Sequence, residues 1–150
     1  MNFESINIEN FLPHRAPFLM IDTLHHLTED YVETSFTINE DCIFCEQNEF
    51  NEFGLIENAA QTCSSIVGRS YFEENDLEGK GSKVIGFISG VKKVEVFRRP
   101  KVGQTIYSKA YLKSCFNNDS YSICTLNCNI FESNQKLLAC ELNLFIQELK

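Results

Sequence analysis

Positive charge is scarce in this sequence of 150 residues: 13 lysines and arginines stand against 21 aspartates and glutamates, a formal net charge of −8. So acidic a chain is a poor match for nucleic acid across its whole surface, because phosphate backbones attract basic proteins. Long apolar runs are also missing. The stretch at residues 16–21 is interrupted by Pro17 and is far shorter than a membrane span. The first residues lack the basic and apolar regions of a signal peptide, so we expect a cytoplasmic protein.

Cysteines are frequent, but they lack the pattern of a disulfide framework or a metal site. There are seven, an odd number, without the repeated spacing of small secreted domains. Cys124, Cys128 and Cys140 fall on the apolar phase of alternating segments, where cysteine behaves as a small hydrophobic residue. Cys42 and Cys45 form a Cys-x-x-Cys pair, but a zinc site needs two further ligands at suitable spacing. We therefore expect reduced thiols, and neither a metal nor a cofactor.

Linkers rich in proline or glycine are absent too, so residues 1–150 are expected to form one domain. Apolar residues make up 43 % of the chain, with 13 Phe and 5 Tyr, which is enough for one aromatic-rich core. Periodicity predicts a short helix at residues 6–11 and a strand at residues 31–38, with a polar loop at residues 73–82. Four more strands are predicted at residues 84–97, 106–112, 124–130 and 138–146, with hairpin turns at residues 117–120 and 132–135. Gly86 and Gly90 interrupt the first of these four strands and indicate bulges or close backbone approach.

Charged residues are missing from positions 58–68, inside a segment with helical periodicity. Over residues 53–69, apolar side chains recur at three- and four-residue spacing: Phe53, Ile56, Ala60, Cys63 and Val67. A helix at the surface would carry charge on its outer face, so we expect this helix to be enclosed by protein. One buried helix followed by four antiparallel strands predicts an α+β fold in which a curved sheet surrounds a central helix.

Three segments carry a resemblance to a known family. Residues 12–22, Leu-Pro-His-Arg-Ala-Pro-Phe-Leu-Met-Ile-Asp, resemble the Leu-Pro-His-Arg-x-Pro-Phe-Leu opening of the 3-hydroxyacyl-acyl carrier protein dehydratases. Residues 54–62 are similar to the Glu-x-x-Ala-Gln stretch of their central helix. Residues 87–90 with 97–103 resemble their strand that ends in an Arg-Pro-x-x-x-Gly corner. The helix, with Glu-x-x-Ala-Gln-Thr, is closer still to the dehydratase-like proteins of aryl-polyene pigment pathways.

This resemblance implies the hot-dog fold, in which a curved antiparallel sheet wraps around one long central helix. It also implies a homodimer, or a heterodimer with another hot-dog chain, with acyl tunnels at the subunit interface. The implied ligand is an acyl thioester carried by acyl carrier protein or by coenzyme A.

The family's catalytic histidine is missing from its usual place. Fatty-acid dehydratases carry it in a Gly-His-Phe-Pro-Gly segment before the helix, whereas residues 42–53 here contain no His, Gly or Pro. The second catalytic residue, a helix glutamate, is matched by Glu57, so half of the dyad is present. His14 lies in the family-like opening, near the tunnel mouth by resemblance, and is the best substitute. Alternatively, His14 only fixes the turn of its proline-containing segment. His25 and His26 precede a charged turn and are expected to be solvated.

Dehydration of a 3-hydroxyacyl thioester needs a base for the α-proton, an acid for the departing hydroxyl and donors for the developing enolate. Glu57 is the predicted acid, because burial on an apolar helix would favour a neutral carboxyl group. Alternatively, it is exposed in the first turn and only favours the helix dipole. Gln61, four residues later on the same helix face, is expected to orient that carboxyl group. Phe18 and Gly90 are further predicted substrate contacts, although Gly90 is equally explained as a bulge glycine.

Basic residues gather in one place despite the negative net charge: Lys92, Lys93, Arg98, Arg99 and Lys101. An acyl carrier protein is acidic, so this basic cluster is a candidate docking site. A solvated strand end is the alternative interpretation.

Three functions stay open at this point. The first is a dehydratase with Glu57 as acid and with His14 or another group as base. The second is a non-catalytic partner subunit of a heterodimeric dehydratase. The third is an acyl thioesterase in which Glu57 acts as general base on water.

Overall fold

The computed structural model describes residues 7–69 and 83–149. The described elements are a short 3-10 helix (Ile8–Asn10), β1 (Thr23–Leu27), β2 (Tyr31–Thr37), β3 (Cys45–Glu46), β4 (Glu49–Phe50), α1 (Glu52–Arg69), β5 (Lys83–Val96), β6 (Thr105–Asn117), β7 (Tyr121–Glu132) and β8 (Gln135–Leu149). The loop predicted for residues 73–82 and the first residue of the helix predicted for residues 6–11 lie outside the described residues. The rest of that predicted helix is the short 3-10 helix.

Six strands form one antiparallel sheet in the order β1-β2-β6-β7-β8-β5, while β3 and β4 form a small hairpin of their own. Within the described residues, β1 and β5 are therefore the edges of the large sheet. Helix α1 contacts β2, β5, β6, β7 and β8, so the sheet curves around it. The predicted central helix, the predicted strand β2 before it and the four predicted strands after it are confirmed, whereas β1, β3 and β4 are additional.

Helix α1 begins where an asparagine and a glycine stand three residues apart. The Asn51 side chain accepts a hydrogen bond from Gly54 N at 3.0 Å, which satisfies a backbone donor of the first turn. Position 54 has no room for a side chain, because an added Cβ atom would lie 2.5 Å from two atoms of the Phe50 ring. Phe50 is itself fully buried. The start of the helix is thus fixed tightly against strand β4.

The absence of charge from residues 58–68 of the helix is explained by burial. Leu55, Ala59 and Cys63 are completely inaccessible. The polar side chains of Asn58, Gln61 and Thr62 are buried too, but they are hydrogen-bonded. Thr62, for example, pairs with Thr34 of β2 at 2.8 Å between hydroxyl oxygens. A buried polar group is tolerated when it is paired in this way, whereas a buried charge would cost far more.

Three strands were not predicted. In strand β1, buried and exposed residues do not alternate, because its register with β2 shifts between Leu24 and His26. The period-two signal is therefore lost. Strands β3 and β4 are two residues long each, too short for any periodicity. The four predicted strands after the helix are all present, and three of them, β6, β7 and β8, extend further than their apolar stretches. Hydrogen bonding to a neighbour continues after burial has ended.

The two glycines of β5 behave differently. Gly86 is in register with Ile146 of β8, and an added Cβ atom would lie 3.0 Å from Ile146 Cδ1, so it allows close approach. Gly90 follows a register shift that begins at Ile88, which confirms a bulge there. Both hairpin turns are confirmed as well. Ser133 and Asn134 have φ values of 46° and 64°, as a tight two-residue turn requires.

One cysteine pair departs from the expectation of reduced thiols. Cys115 of β6 and Cys124 of β7 are directly opposite in register and form a disulfide. Cys124 is buried as predicted, but its partner is exposed and sits where β6 continues beyond the predicted strand. Cys128 and Cys140 are free and buried, as their apolar phase predicted. Burial raises the pKa of the Cys140 thiol to about 12.

Candidate active site

The site is built where the segment around residues 12–22 crosses the N-terminal half of α1. Two helix side chains hold this segment by its backbone. Gln61 accepts a hydrogen bond from Met20 N through Oε1 at 2.7 Å and donates one to Phe18 O through Nε2 at 2.7 Å. Asn58 donates to Met20 O, also at 2.7 Å. The crossing segment is therefore fixed relative to the helix.

This arrangement brings two of the predicted catalytic residues together. His14 Nε2 lies 3.6 Å from Glu57 Oε1, and the two side chains are 29 % and 28 % exposed. The same Glu57 oxygen accepts a hydrogen bond from Gln61 Nε2 at 2.9 Å. The predicted orientation of the carboxyl group by Gln61 is thus present in the geometry. Glu57 is neither fully buried nor freely exposed, since it lies in the second turn of α1 beside the imidazole.

The environment of His14 favours a neutral ring. Burial lowers the pKa of His14 below the ordinary value of 6.5, the negative charge of Glu57 opposes this change, and the positive charge of Arg15 adds to it. Arg15 is itself directed away, because its guanidinium donates to Leu12 O and His14 O at 2.9 and 2.8 Å. At neutral pH, the imidazole is therefore able to accept a proton.

A neutral imidazole next to a carboxyl group is a pair that can exchange one proton. Histidine and glutamate are both common general acids and bases, and their contact in a half-open position leaves them accessible to a substrate. The chemistry that such a pair supports is removal of a proton from one atom and delivery of a proton to a neighbouring one.

Phe18 and Gly90 are the other two predicted substrate contacts, and they lie on different elements. Phe18 belongs to the crossing segment, and its side chain is 57 % exposed while its carbonyl is bonded to Gln61. Gly90 lies on edge strand β5, opposite Asn143, and not on the elements that carry His14 and Glu57. Its assignment as a substrate contact stays a prediction.

The basic cluster is partly neutralised by nearby carboxylates. Arg99 makes a two-pronged contact with Glu52, with nitrogen–oxygen distances of 2.8 and 2.6 Å. Arg98 pairs with Glu132 at 2.5 Å. Lys93 is 4.0 Å from Glu141. The cluster therefore presents less positive charge than its five residues imply, and its docking role stays a prediction.

Neither histidine of the charged turn belongs to this site. His25 Nε2 is 2.7 Å from Ser35 Oγ and its ring lies 6.2 Å from that of Tyr107. His26 is likewise in ring contact with Tyr31. Both histidines are exposed, as predicted, and strand β1 places their rings beside those of neighbouring tyrosines.

The segment that lacks the family's histidine forms the β3–β4 hairpin before α1. Its two thiols, Cys42 and Cys45, are free and partly buried. Burial and the neighbouring Cys42 raise the pKa of Cys45 to about 11, so this thiol is protonated at neutral pH. Among the described residues, no three His, Cys, Asp or Glu side chains lie close enough to hold a metal ion.

Sequence reasoning missed Asn58, which holds both the crossing segment and the sheet. Besides its bond to Met20 O, its Oδ1 accepts a hydrogen bond from Ser108 Oγ of β6 at 2.6 Å. A signal was present: an uncharged amide stands next to Glu57 on a helix that is otherwise small and apolar. A buried amide in such a place must have partners.

A curved antiparallel sheet around one central helix defines a protein of the hot-dog class. The sequence matches the family of the ApeP dehydratase, described as ApeP-like, over residues 6–150. The chain belongs to this dehydratase family, and the resemblance to hot-dog dehydratases is confirmed.

Three relatives illustrate the likeness. The chain is 31 % identical over 110 residues to the 3-hydroxyacyl-[acyl-carrier-protein] dehydratase FabZ of Saccharophagus degradans, covering 69 % of this chain and 72 % of that one. The structure is similar to the dehydratase heterocomplex ApeI:P from Xenorhabdus doucetiae, with a TM-score of 0.75, 17 % identity and coverage of 95 % of this chain and 91 % of that chain. A hypothetical thioesterase with coenzyme A from Streptococcus pneumoniae shares the fold at a TM-score of 0.59 and 8 % identity, over 85 % of this chain and 86 % of that chain.

The helices of the structure also bear on membrane insertion. Among the described residues, no helix combines the length and the apolar character that crossing a membrane requires.

Proposed function

We propose that this chain dehydrates 3-hydroxyacyl thioesters carried by acyl carrier protein, as part of fatty-acid or polyene-type biosynthesis. The observation that carries the proposal is the contact between His14 Nε2 and Glu57 Oε1 at 3.6 Å. It brings an imidazole of the crossing segment beside a carboxyl group of the central helix, in a chain that matches a dehydratase family. The identity with FabZ supports the same class of substrate.

In the proposed reaction, His14 Nε2 takes the α-proton of the thioester. The electron pair left on the α-carbon forms the new carbon–carbon double bond, while the bond from the β-carbon to the hydroxyl group breaks. Protonated Glu57 gives its proton to that hydroxyl, which leaves as water. The products are a trans-2-enoyl thioester, an imidazolium and a carboxylate. Passage of the proton from His14 to Glu57 restores the starting state.

The assignment is tested with purified protein, 3-hydroxyacyl and trans-2-enoyl thioesters on carrier protein, and two variants. We expect Glu57→Gln to abolish turnover, because an amide cannot donate the required proton. Glu29→Gln, an exposed turn residue, is the matched control and should keep full activity. Turnover that persists in the Glu57 variant would remove this carboxyl group from the mechanism. Measuring free thiol release in the same assay detects hydrolysis of the thioester, which would instead indicate the thioesterase reaction.

A second candidate function is that of a subunit in a composite dehydratase. Two observations favour it: residues 42–53 lack the family's histidine, and the structure resembles a dehydratase heterocomplex. Edge strand β5 also presents exposed apolar side chains: Phe87, Ile88, Val91, Val94 and Val96. An apolar edge strand that is left unpaired is a surface that a second hot-dog chain can cover.

This candidate is distinguished by assaying the chain alone and with a second hot-dog chain that has an intact Gly-His-Phe motif. No turnover alone, together with turnover in the mixture that is lost in Glu57→Gln, would support a composite site. Full turnover by the chain alone would reject it. Size-exclusion chromatography with light scattering reports whether the chain pairs with itself or with the second chain.

A further inference from the structure

One nitrogen of His14 is left without a partner. Its Nε2 atom faces Glu57, but Nδ1 is buried and has no hydrogen-bond partner among the described residues. Buried polar atoms in folded proteins are nearly always hydrogen-bonded, to protein or to an ordered water, so an exception calls for an explanation. Nδ1 also matters for the chemistry, because the ring nitrogen that carries the proton decides what the other nitrogen can do.

A small cavity lies beside this ring. Its volume is about 30 Å³, and its walls include His14, Ser64, Gly68 and Gly86. The other wall residues are apolar, so His14 and Ser64 supply its polar side chains. A cavity of roughly 10–15 Å³ or more holds one water molecule if at least two polar partners are available.

Ser64 is well placed to hold such a water. Its hydroxyl donates to Ala60 O, one helical turn earlier, at 2.8 Å. Because its proton is used in that bond, the lone pairs of Oγ remain available to accept a hydrogen bond. A water molecule in the cavity can therefore donate to Ser64 Oγ and accept the Nδ1 proton of His14.

We propose that one internal water joins His14 Nδ1 to Ser64 Oγ, and that Ser64 is thereby a positioning residue which holds His14 in its Nδ1-protonated tautomer. In this tautomer, Nε2 has a free lone pair directed toward Glu57 and the substrate. In the opposite tautomer, Nε2 carries a proton and cannot act as a base. The catalytic consequence rests on the function proposed above, whereas the tautomer itself is a property of the resting protein.

The tautomer is measured directly by two-bond proton–nitrogen NMR on protein labelled with ¹⁵N-histidine. The chain has three histidines, and the His14 signals are assigned by their loss in His14→Gln. At a pH above the pKa of His14, we expect a pyrrole-type shift for Nδ1 and a pyridine-type shift for Nε2. The reverse pattern in the unmodified protein would overturn the proposal.

Two variants disturb the water in different ways. Ser64→Ala removes its acceptor. Gly68→Ala keeps the serine but enlarges another residue of the cavity wall; alanine also suits a helix interior better than glycine. Both should shift His14 toward the Nε2-protonated tautomer. Ser65→Ala is the matched control, because its hydroxyl makes the same kind of bond, to Gln61 O at 3.1 Å, but does not line the cavity. An unchanged His14 spectrum in both test variants would reject the proposal.

Kinetics provide the second readout. If Ser64→Ala reduces the base-competent tautomer to roughly one molecule in ten, kcat should fall about tenfold while KM stays unchanged. The acid limb of the kcat/KM profile should move to lower pH, because the imidazolium also loses its Nδ1 partner. A structural defect would not move this limb. If the tautomer of His14 changes as expected but Glu57→Gln keeps full turnover, only the proposed function fails. If Glu57→Gln abolishes turnover but Ser64→Ala and Gly68→Ala leave the tautomer unchanged, only this inference fails.

Discussion

Glu57 and Glu141 each have a basic partner, yet only the partner of Glu57 is suited to proton transfer. Glu57 lies on the central helix, 3.6 Å from the His14 ring. Glu141 lies on the outer face of the sheet, nearly buried, with Lys113 Nζ at 2.6 Å and Lys93 Nζ at 4.0 Å. The hydrogen bond and the charge of Lys113 lower the pKa of Glu141, so this group is a permanent carboxylate at neutral pH. The pKa of the basic partner, more than its distance, decides whether a carboxyl group can take part in proton transfer.

The comparison has a structural side as well. Lysine keeps its proton at neutral pH, so the Glu141 pair only neutralises charge on a crowded strand. The imidazole of His14 is desolvated and its pKa is lowered, so it stands ready to accept a proton. One pair stabilises the sheet, and the other is available for chemistry.

The largest expected effect is the contrast between the two basic partners. His14→Gln should lower kcat about 10²- to 10⁴-fold, the usual contribution of a general base, because the amide cannot accept the α-proton. Lys113→Met should leave kcat unchanged, since its carboxylate takes no part in the reaction. Steady-state kinetics on carrier-bound thioesters measure both. Equal losses in the two variants would mean that the comparison reflects stability alone.

The next effect concerns the start of the helix that carries Glu57. Gly54→Ala should reduce the free energy of unfolding by about 1–3 kcal/mol, because the new methyl group collides with the buried Phe50 ring. Urea denaturation followed by circular dichroism measures this change. Gly103→Ala is an instructive counterpart: its φ of 91° strains any side chain, although no atom lies within 4 Å of the added Cβ. A stable Gly54 variant would show that the helix start can move.

A smaller effect is expected for the Glu141 pair. Because its folded-state pKa is lowered, the pair stabilises the protein above the ordinary pKa of glutamate, and this stabilisation is lost as the pH falls through the lowered value. Lys113→Met should therefore lower the midpoint of unfolding at neutral pH. It should also make that midpoint change less as the pH falls. Lys109→Met is the matched control on the same strand, since its contact with Glu33 at 3.5 Å is more exposed and contributes little. Equal destabilisation by the two lysine variants would contradict the special burial of Glu141.

The smallest expected effect concerns the pH dependence of kcat/KM. His14 must be unprotonated to act as a base, and its pKa is lowered from 6.5, so the acid limb of kcat/KM should lie below that value. The profile of the unmodified enzyme between neutral and acidic pH tests this. An acid limb above 6.5 would indicate that the charge of Glu57, rather than burial, governs the imidazole.

Much of the fold could be predicted because burial leaves a strong pattern. The uncharged stretch of α1 and the alternating strands β6, β7 and β8 have one cause, the packing of a helix against the inner face of a sheet. Strand β1 and the β3–β4 hairpin could not be predicted, because a bulge or a length of two residues leaves no periodicity. The Cys115 partner of Cys124 was missed since it lies where β6 continues without burial.

The candidate site was predictable only in part. Spacing placed Gln61 on the face of Glu57, and the resemblance drew attention to His14. The crossing segment that carries His14 is held by hydrogen bonds between the side chains of Asn58 and Gln61 and backbone atoms about 40 positions earlier in the chain, which no local pattern reveals. The neutralised state of Arg98 and Arg99 depends in the same way on carboxylates from distant elements.

The contact of Arg99 with Glu52 joins the edge of the sheet to helix α1. Arg99 lies in the corner that follows β5, and Glu52 begins α1. Beside this ion pair, Phe50 N donates to Pro100 O at 2.8 Å, so the corner also holds the residue against which Gly54 packs. The corner after β5 is therefore anchored to the start of the helix, and Glu57 stands one turn further along. The position of this carboxyl group is thus tied to the edge of the sheet.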